Sequence, residues 1–189
     1  MTSLFLQNLE QHNALLATLH SLNDDVLRAG QLASQSLQQG GKILFCGNGG
    51  SAADSQHLAA ELTGRFIKDR RPLAAMALST DTSALTCIGN DYSFDEVFAR
   101  QVAGLGRSGD LLIGISTSGN SRNVIRAVEE AQKLGMQTIG LLGRDGGQLR
   151  SLCGHSIVVP SPVTARIQEC HILIGHTLCG LIEQALGLA

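Results

Sequence analysis

Aromatic residues are scarce in this chain and tryptophan is absent. Phe, Tyr and Trp make up 3% of its 189 residues, against 43% for hydrophobic types as a whole. Ala, Leu, Ile, Val and Gly must therefore fill the core, which suits a parallel sheet covered by helices. Basic blocks are missing too. Fourteen Lys and Arg against 16 Asp and Glu leave a net charge of −2, which argues against nucleic-acid binding through phosphate contacts. A phosphate ligand would have to be held by local dipoles and a few side chains. The five cysteines, Cys46, Cys87, Cys153, Cys170 and Cys179, form no C-x-x-C pair and are odd in number. That usage fits reduced thiols in the cytosol and not a disulfide framework. No Lys or Arg precedes Arg28, against a secretory signal, and no apolar run is long enough to span a bilayer. The expectation is a soluble cytoplasmic protein with neither nucleic acid nor membrane as partner.

The length suits a single domain, 1–189, with residues 1–40 as leading helices and 41–189 as an α/β core. Leu6, Leu9, Leu16 and Leu19 recur near helical spacing and predict an amphipathic helix over 4–22. A second helix is expected from Asp24 to Gln38, stopped by Gly40-Gly41. This pair is expected to pack outside the sheet or against another subunit. Beyond it, strands are expected at Ile43–Cys46, Ala74–Leu78, Leu111–Ile115, Thr138–Leu142 and Ser156–Val159. Helices are expected at Ser51–Arg65, Phe94–Gly104, Asn120–Leu134, Gly147–Leu152 and Thr164–Leu186. The alternation predicts a five-stranded parallel sheet flanked by helices, with right-handed crossovers. Asp145-Gly146-Gly147 reads as an ordinary turn.

What is present in strength is a pair of small, polar, glycine-bearing loops, each after an apolar strand and before a helix. The first is Cys46-Gly-Asn-Gly-Gly-Ser51 and the second Ser116-Thr-Ser-Gly-Asn-Ser121. The first N–H groups of a helix lack internal partners and sit at the positive end of its dipole, so such loops suit an anion. Four hydroxyls in six residues of the second loop exceed what one helix cap requires. Both loops fall at carboxyl ends of strands, where open α/β sheets bind ligands. The first loop also fits G-x-G-x-x-A, the dinucleotide fingerprint. A nucleotide-binding redox enzyme would need a ribose-binding acid at the end of the next strand, and Leu73–Thr80 contains none. Asp81, just beyond, reads as part of a helix cap.

His57 and Glu61 lie at i and i+4 on the helix after the first loop and so share a face, the spacing of a metal pair or of a base with an orienting partner. The last helix carries Arg166, Gln168, Glu169, His171 and His176. At about 100° per residue, Glu169 and His176 lie within about 20° of each other, and Gln168 and His176 differ by about 80°. Periodicity leaves the choice between the two histidines open, and likewise that between Gln168 and Glu169.

Five segments taken together resemble the phosphoheptose isomerases, members of the sugar isomerase (SIS) domain family. They are Cys46–Ser51, Gln56-His-Leu-Ala-Ala-Glu-Leu-Thr-Gly-Arg65, Gly89-Asn-Asp91, Gly114–Ser121 and Ala165-Arg-Ile-Gln-Glu-Cys-His171. The similarity spans essentially the whole chain. It implies a flavodoxin-like three-layer sandwich with an N-terminal helical pair, assembled as a homotetramer with sites at subunit interfaces. It implies interconversion of sedoheptulose 7-phosphate and D-glycero-D-manno-heptose 7-phosphate, at the start of the route to ADP-heptose and the lipopolysaccharide core. By the same resemblance zinc is bound by His57, Glu61, Gln168 and His176. Moving a proton between C1 and C2 through an enediol needs a base and an acid, and Glu61 and His176 are the expected pair. Phosphate contacts match Ser51, Ser116, Thr117, Ser118 and Ser121, and hydroxyl contacts match Asn48, Gly49, Gly50, Asn90 and Asp91. Arg65 matches a residue near the active site, and Gln168 also faces substrate. Some members carry Asp where this chain has Ala165. A related branch, the replication-initiator-associating proteins, is regulatory and lacks the Glu and the final His. This chain keeps both.

Overall fold

The computed structural model describes residues 3–189, so the first two residues of the expected leading segment lie outside it. The chain opens with α1 (Leu4–Leu16), a 3-10 turn at Leu19–Leu22, and α2 (Asn23–Gln38). The α/β part runs β1 (Ile43–Gly47), α3 (Gly50–Thr63), β2 (Ala75–Ala77), α4 (Thr82–Asp91), a 3-10 turn at Phe94–Glu96, α5 (Ala99–Leu105) and β3 (Leu111–Ser116). It ends with α6 (Arg122–Lys133), β4 (Gln137–Gly143), α7 (Leu149–Leu152), β5 (His155–Val159) and α8 (Thr164–Ala185).

The five strands form one parallel sheet in the order β2-β1-β3-β4-β5. This is the flavodoxin-like order, and the direction of winding reverses between β1 and β3. Every residue of β1 and β3 is buried, as expected of central strands covered on both faces. Alternate residues feed two cores. Ile43, Phe45, Ile113, Leu141 and Ile157 pack with Leu58, Leu62, Ile174, Leu178 and Ile182 on one side. Leu44, Cys46, Leu112 and Leu142 pack with Phe98, Val102, Val124 and Val128 on the other.

Three expectations need correction. The helix expected over 4–22 is broken, because Thr18 Oγ1 donates to the Leu15 carbonyl at 2.7 Å and the chain tightens into the 3-10 turn. Such hydroxyl back-bonding competes with helix continuation. The segment Phe94–Gly104 is likewise a 3-10 turn followed by α5, and α4 was foreseen only at its cap. It is capped by Asp81, whose carboxylate accepts from the Ala84 N–H at 2.9 Å. Finally, α2 does not lie outside the sheet. Ala29, Ala33 and Leu37 form a small buried stripe that lets it enter the helical layer beside α8. A Cβ at Gly30 would meet Leu181 at 2.8 Å. Only α1 remains peripheral, with Leu4 and Phe5 each 72% exposed.

α8 is the organising helix of its layer. Its inner side buries His171, whose Nε2–H donates to the Leu142 carbonyl at 3.0 Å while Nδ1 has no partner. Burial lowers the His171 pKa from its usual 6.5. The unfolded chain therefore binds a proton here that the folded chain refuses, and stability is lost as pH falls below the unfolded value. Urea midpoints measured from pH 8 to 5 should drop more steeply for the wild type than for His171→Gln, which keeps a donor for Leu142. Equal slopes would remove His171 from the acid response.

Candidate functional site

β1 and β3 are neighbours at the reversal of strand order, so the two polar loops that follow them stand side by side over the carboxyl edge. In the first loop Gly49 has φ 57° and ψ −120° and precedes the first turn of α3. Only glycine adopts that conformation without strain. α3 accordingly starts at Gly50, one residue before the expected Ser51. Ser51 is buried, and its N–H donates to the Asn48 carbonyl at 3.0 Å. The two loops are joined by a reciprocal amide pair. Asn48 Nδ2 donates to Asn123 Oδ1 and Asn123 Nδ2 to Asn48 Oδ1, both at 2.8 Å.

In the second loop the hydroxyls converge. Ser116 Oγ lies 2.9 Å from Ser121 Oγ and 3.5 Å from Ser118 Oγ, and the Gly119 N–H donates to Ser116 Oγ at 3.1 Å. Thr117 and Ser118 are half-buried beside them. Ser121 precedes α6 but its side chain makes no capping bond, so its hydroxyl stays with the loop. The Asp145-Gly146-Gly147 turn buttresses this arrangement. Gly119 has φ +67° and a Cβ there would fall 1.9 Å from the Gly146 carbonyl oxygen. The Leu149 N–H donates to the Gly119 carbonyl, and the Gln148 N–H to Asn120 Oδ1.

α3 leads from the first loop along α8. Gly50 lies against the Gln168 amide, so close that a Cβ would meet Nε2 at 2.2 Å. Further along, Gly175 admits Leu58, whose methyls would sit 2.6 Å from a Cβ at 175. The two helices thus run side by side in the same direction, and that alignment places His176 over His57 and Glu61. His57 Nε2 is 2.9 Å from His176 Nε2 and 3.3 Å from Glu61 Oε1. The donor atoms of the three residues all lie within 4.8 Å of one another. Two imidazole nitrogens and a carboxylate oxygen form a donor set suited to zinc, with room for a further ligand. Gln168 lies eight residues before His176, about 12 Å along the helix axis, and serves the Gly50 end of the seam.

The remaining expected residues are more dispersed. Arg65 is exposed, and its Nη1 donates to the Ile67 carbonyl at 3.3 Å. Asn90 and Asp91 end α4, where Asn90 Nδ2 donates to Asp91 Oδ1 at 2.8 Å and the Cys87 thiol donates to Asp91 Oδ2 at 3.4 Å. Those bonds are local to the helix end. Of the alternatives left open on α8, His171 belongs to the core, and Glu169 pairs with His12 at 2.7 Å and with Arg166 at 2.6 Å.

Several residues at the site had no signal in the sequence. Phe66 stacks on His176, with ring centroids 5.6 Å apart and planes at 28°. Asn123 sits on α6 with nothing in its spacing to announce the pairing with Asn48. Asp54, one turn before His57, has a buried carboxylate oxygen with no partner. Burial raises its pKa, and the neighbouring His57 draws it partly back.

Comparison with known proteins agrees with this layout. The SIS domain family model matches residues 7–143. A phosphoheptose isomerase of a Nitratiruptor species is 58% identical over 177 residues, covering 94% of this chain and 95% of the relative. One of Campylobacter jejuni is 53% identical over 184 residues, covering 97% and 99%. Among solved structures, the phosphoheptose isomerase of Neisseria gonorrhoeae superposes with a TM-score of 0.91 at 49% identity, covering 95% of this chain and 97% of that one. That of Francisella tularensis gives 0.89 at 40% identity, covering 97% and 100%. A family model over more than half of the sequence, full-length identities above one half, and a matching overall fold lead to one assignment: the chain belongs to the phosphoheptose isomerases, within the SIS domain family.

Proposed function

We propose that the chain is an aldose–ketose isomerase that interconverts sedoheptulose 7-phosphate and D-glycero-D-manno-heptose 7-phosphate, in the cytoplasm, at the first step towards ADP-heptose and the lipopolysaccharide core. The observation that carries this reading is the convergence of His57, Glu61 and His176 where α8 runs beside α3, the helix that starts at the first polar loop. Without that convergence the fold would suit a non-catalytic sugar-phosphate regulator equally well.

The phosphate is assigned to the first turn of α3 and to the hydroxyl cluster, through Ser51, Ser116, Thr117, Ser118 and Ser121. Backbone N–H groups and hydroxyls at two helix starts can hold a dianion without a lysine. Asn48, Gly49, Gly50 and Gln168 are assigned to sugar hydroxyls, with Arg65, Asn90 and Asp91. The phosphate is remote from the reacting carbons, so its binding energy serves to position C1 and C2. Isomerisation moves a proton between those carbons through an enediol. A base must take a carbon-bound proton and return it on the neighbouring carbon, and an acid must serve the carbonyl oxygen. Glu61, with its carboxylate partly shielded from water, is assigned the carbon proton. His176, facing it across the cluster, is assigned the proton on oxygen.

Zinc is the proposed metal, one per subunit, on His57, Glu61 and His176; Gln168, the fourth ligand implied by the family resemblance, stands about 12 Å from His176 along α8 within one chain and is not assigned to that ion. When bound it would polarise the sugar oxygens. A homotetramer with sites at subunit interfaces is proposed as the assembly, with residues 1–40 contributing to it. The exposed apolar face of α1 supports this, as does a groove of about 630 Å³ lined by Leu16, Leu19, Leu22, Val26 and Leu173. A neighbouring copy would also account for Asn90 and Asp91, which bond only locally within one chain.

Three measurements test the reading. Glu61→Gln should lower kcat for sedoheptulose 7-phosphate by roughly 10²–10⁴-fold with KM little changed; near-normal turnover removes Glu61 from the chemistry. The double variant Ser118→Ala/Ser121→Ala should raise KM and weaken phosphorylated-sugar binding by calorimetry, and unchanged binding would place the phosphate elsewhere. Purified protein stripped by a chelator should take up one Zn²⁺ per chain, and His57→Ala should abolish stoichiometric uptake.

A further inference from the structure

The end of α3 is held by a residue that no motif marks. Arg70 donates from Nε to Glu183 Oε1 at 2.8 Å and from Nη2 to the Glu61 carbonyl at 2.7 Å. Its Nη1 donates to the carbonyls of Leu62 at 2.8 Å, Gly64 at 2.9 Å and Arg71 at 3.2 Å. The Arg70 and Glu183 side chains are 2% and 1% exposed. Carbonyls at a helix C-terminus lack internal partners and carry the negative end of the dipole, so a guanidinium is well placed there. A buried ion pair, however, contributes little net stability once the desolvation of both charges is counted. What it does well is to specify geometry.

The geometry it specifies reaches both members of the proposed acid–base pair. Glu183 lies seven residues after His176 on α8, almost on the same side of the helix at about 100° per residue. Its Oε1 also accepts from the Phe66 N–H at 3.3 Å. The Phe66 ring stacks on the His176 imidazole, with planes at 28°. That imidazole also meets His57 edge to face, with centroids 5.1 Å apart and planes at 62°. One carboxylate on α8 therefore fixes the Glu61 backbone through Arg70 and the His176 ring through Phe66. Offset stacking of this kind restricts the orientation of both rings.

We propose that Arg70, Glu183 and Phe66 are positioning residues for the reaction: the buried ion pair locks the backbone at Glu61, and the Phe66 ring holds His176 at the angle from which its Nε2 faces His57 and Glu61. This rests on the acid–base reading above, and its test separates the two. A plain helix cap would need Arg70 and Glu183 but would gain nothing from the ring of Phe66, so the decisive variant is at position 66.

The test compares wild type, Phe66→Leu, Phe66→Tyr, Arg70→Lys and the control Glu61→Gln by kcat and KM for sedoheptulose 7-phosphate, by melting temperature, and by calorimetric titration with Zn²⁺. Phe66→Leu should lower kcat by about 10–100-fold with KM within about twofold, because the phosphate loops are untouched. It should also weaken Zn²⁺ binding about tenfold, as loss of support behind a ligand does. Phe66→Tyr, which keeps the ring, should restore both. Arg70→Lys keeps the charge but loses the fork, and should lower kcat in the same direction. Wild-type kcat in Phe66→Leu, in preparations where Glu61→Gln is inactive, overturns the proposal while leaving the acid–base reading intact. A kcat loss that tracks a fall in melting temperature and that Phe66→Tyr does not restore overturns it as well. An active Glu61→Gln would instead overturn the acid–base reading on which it rests.

Discussion

The site depends on how closely α3 and α8 approach. Two glycines set that distance, Gly50 under the Gln168 amide and Gly175 under the Leu58 methyls. A side chain at either position would force the Gln168 amide or the Leu58 methyls to give way, in an interior packed closely enough that the shift is felt by their neighbours. The sheet contributes by placing the start of α3 at the reversal of strand order, beside the loop that follows β3. Helix spacing and strand order together bring the two polar loops and the His57–Glu61–His176 cluster onto one seam.

The chemistry of the two ends differs in kind. Neither loop carries a Lys or Arg between residues 47 and 52 or between 116 and 121. The proposed phosphate site is therefore a set of neutral donors, whose strength would come from number and orientation. The proton-handling end concentrates titratable groups on one helix seam, with the unpartnered Asp54 oxygen close by.

Much of this could be read in the sequence, and the limits have physical causes. The loops were legible because small polar residues at the end of a buried strand have few other uses. The His57–Glu61 pairing was legible because a helix repeats nearly every four residues. His176 could not be told from His171 because α8 is apolar on most of its circumference. The two residues lie about 140° apart, one facing the sheet at the Leu142 carbonyl and the other facing α3, and only packing separates them. Beyond its Asp81 cap, the helix α4 went unseen because ten residues carry too little periodicity, and α2 was misplaced because a stripe of Ala and Gly looks polar by count yet packs closely. Phe66 and Arg70 belong to no repeating pattern. Their partners on α8, His176 and Glu183, are more than a hundred residues away, and a pairing of that kind exists only once the chain has folded.

The turn at Asp145–Gly147 has an implication for ligand capture. It grips the second loop from behind, through the Gly119–Gly146 contact and the bonds from Gln148 and Leu149. The loop is thus shaped by its scaffold before any ligand arrives. Flexible loops that organise around an anion lose affinity to the entropy of becoming ordered. Here that loss falls on folding, so the phosphate proposed for this loop would meet hydroxyls that the scaffold already holds in place.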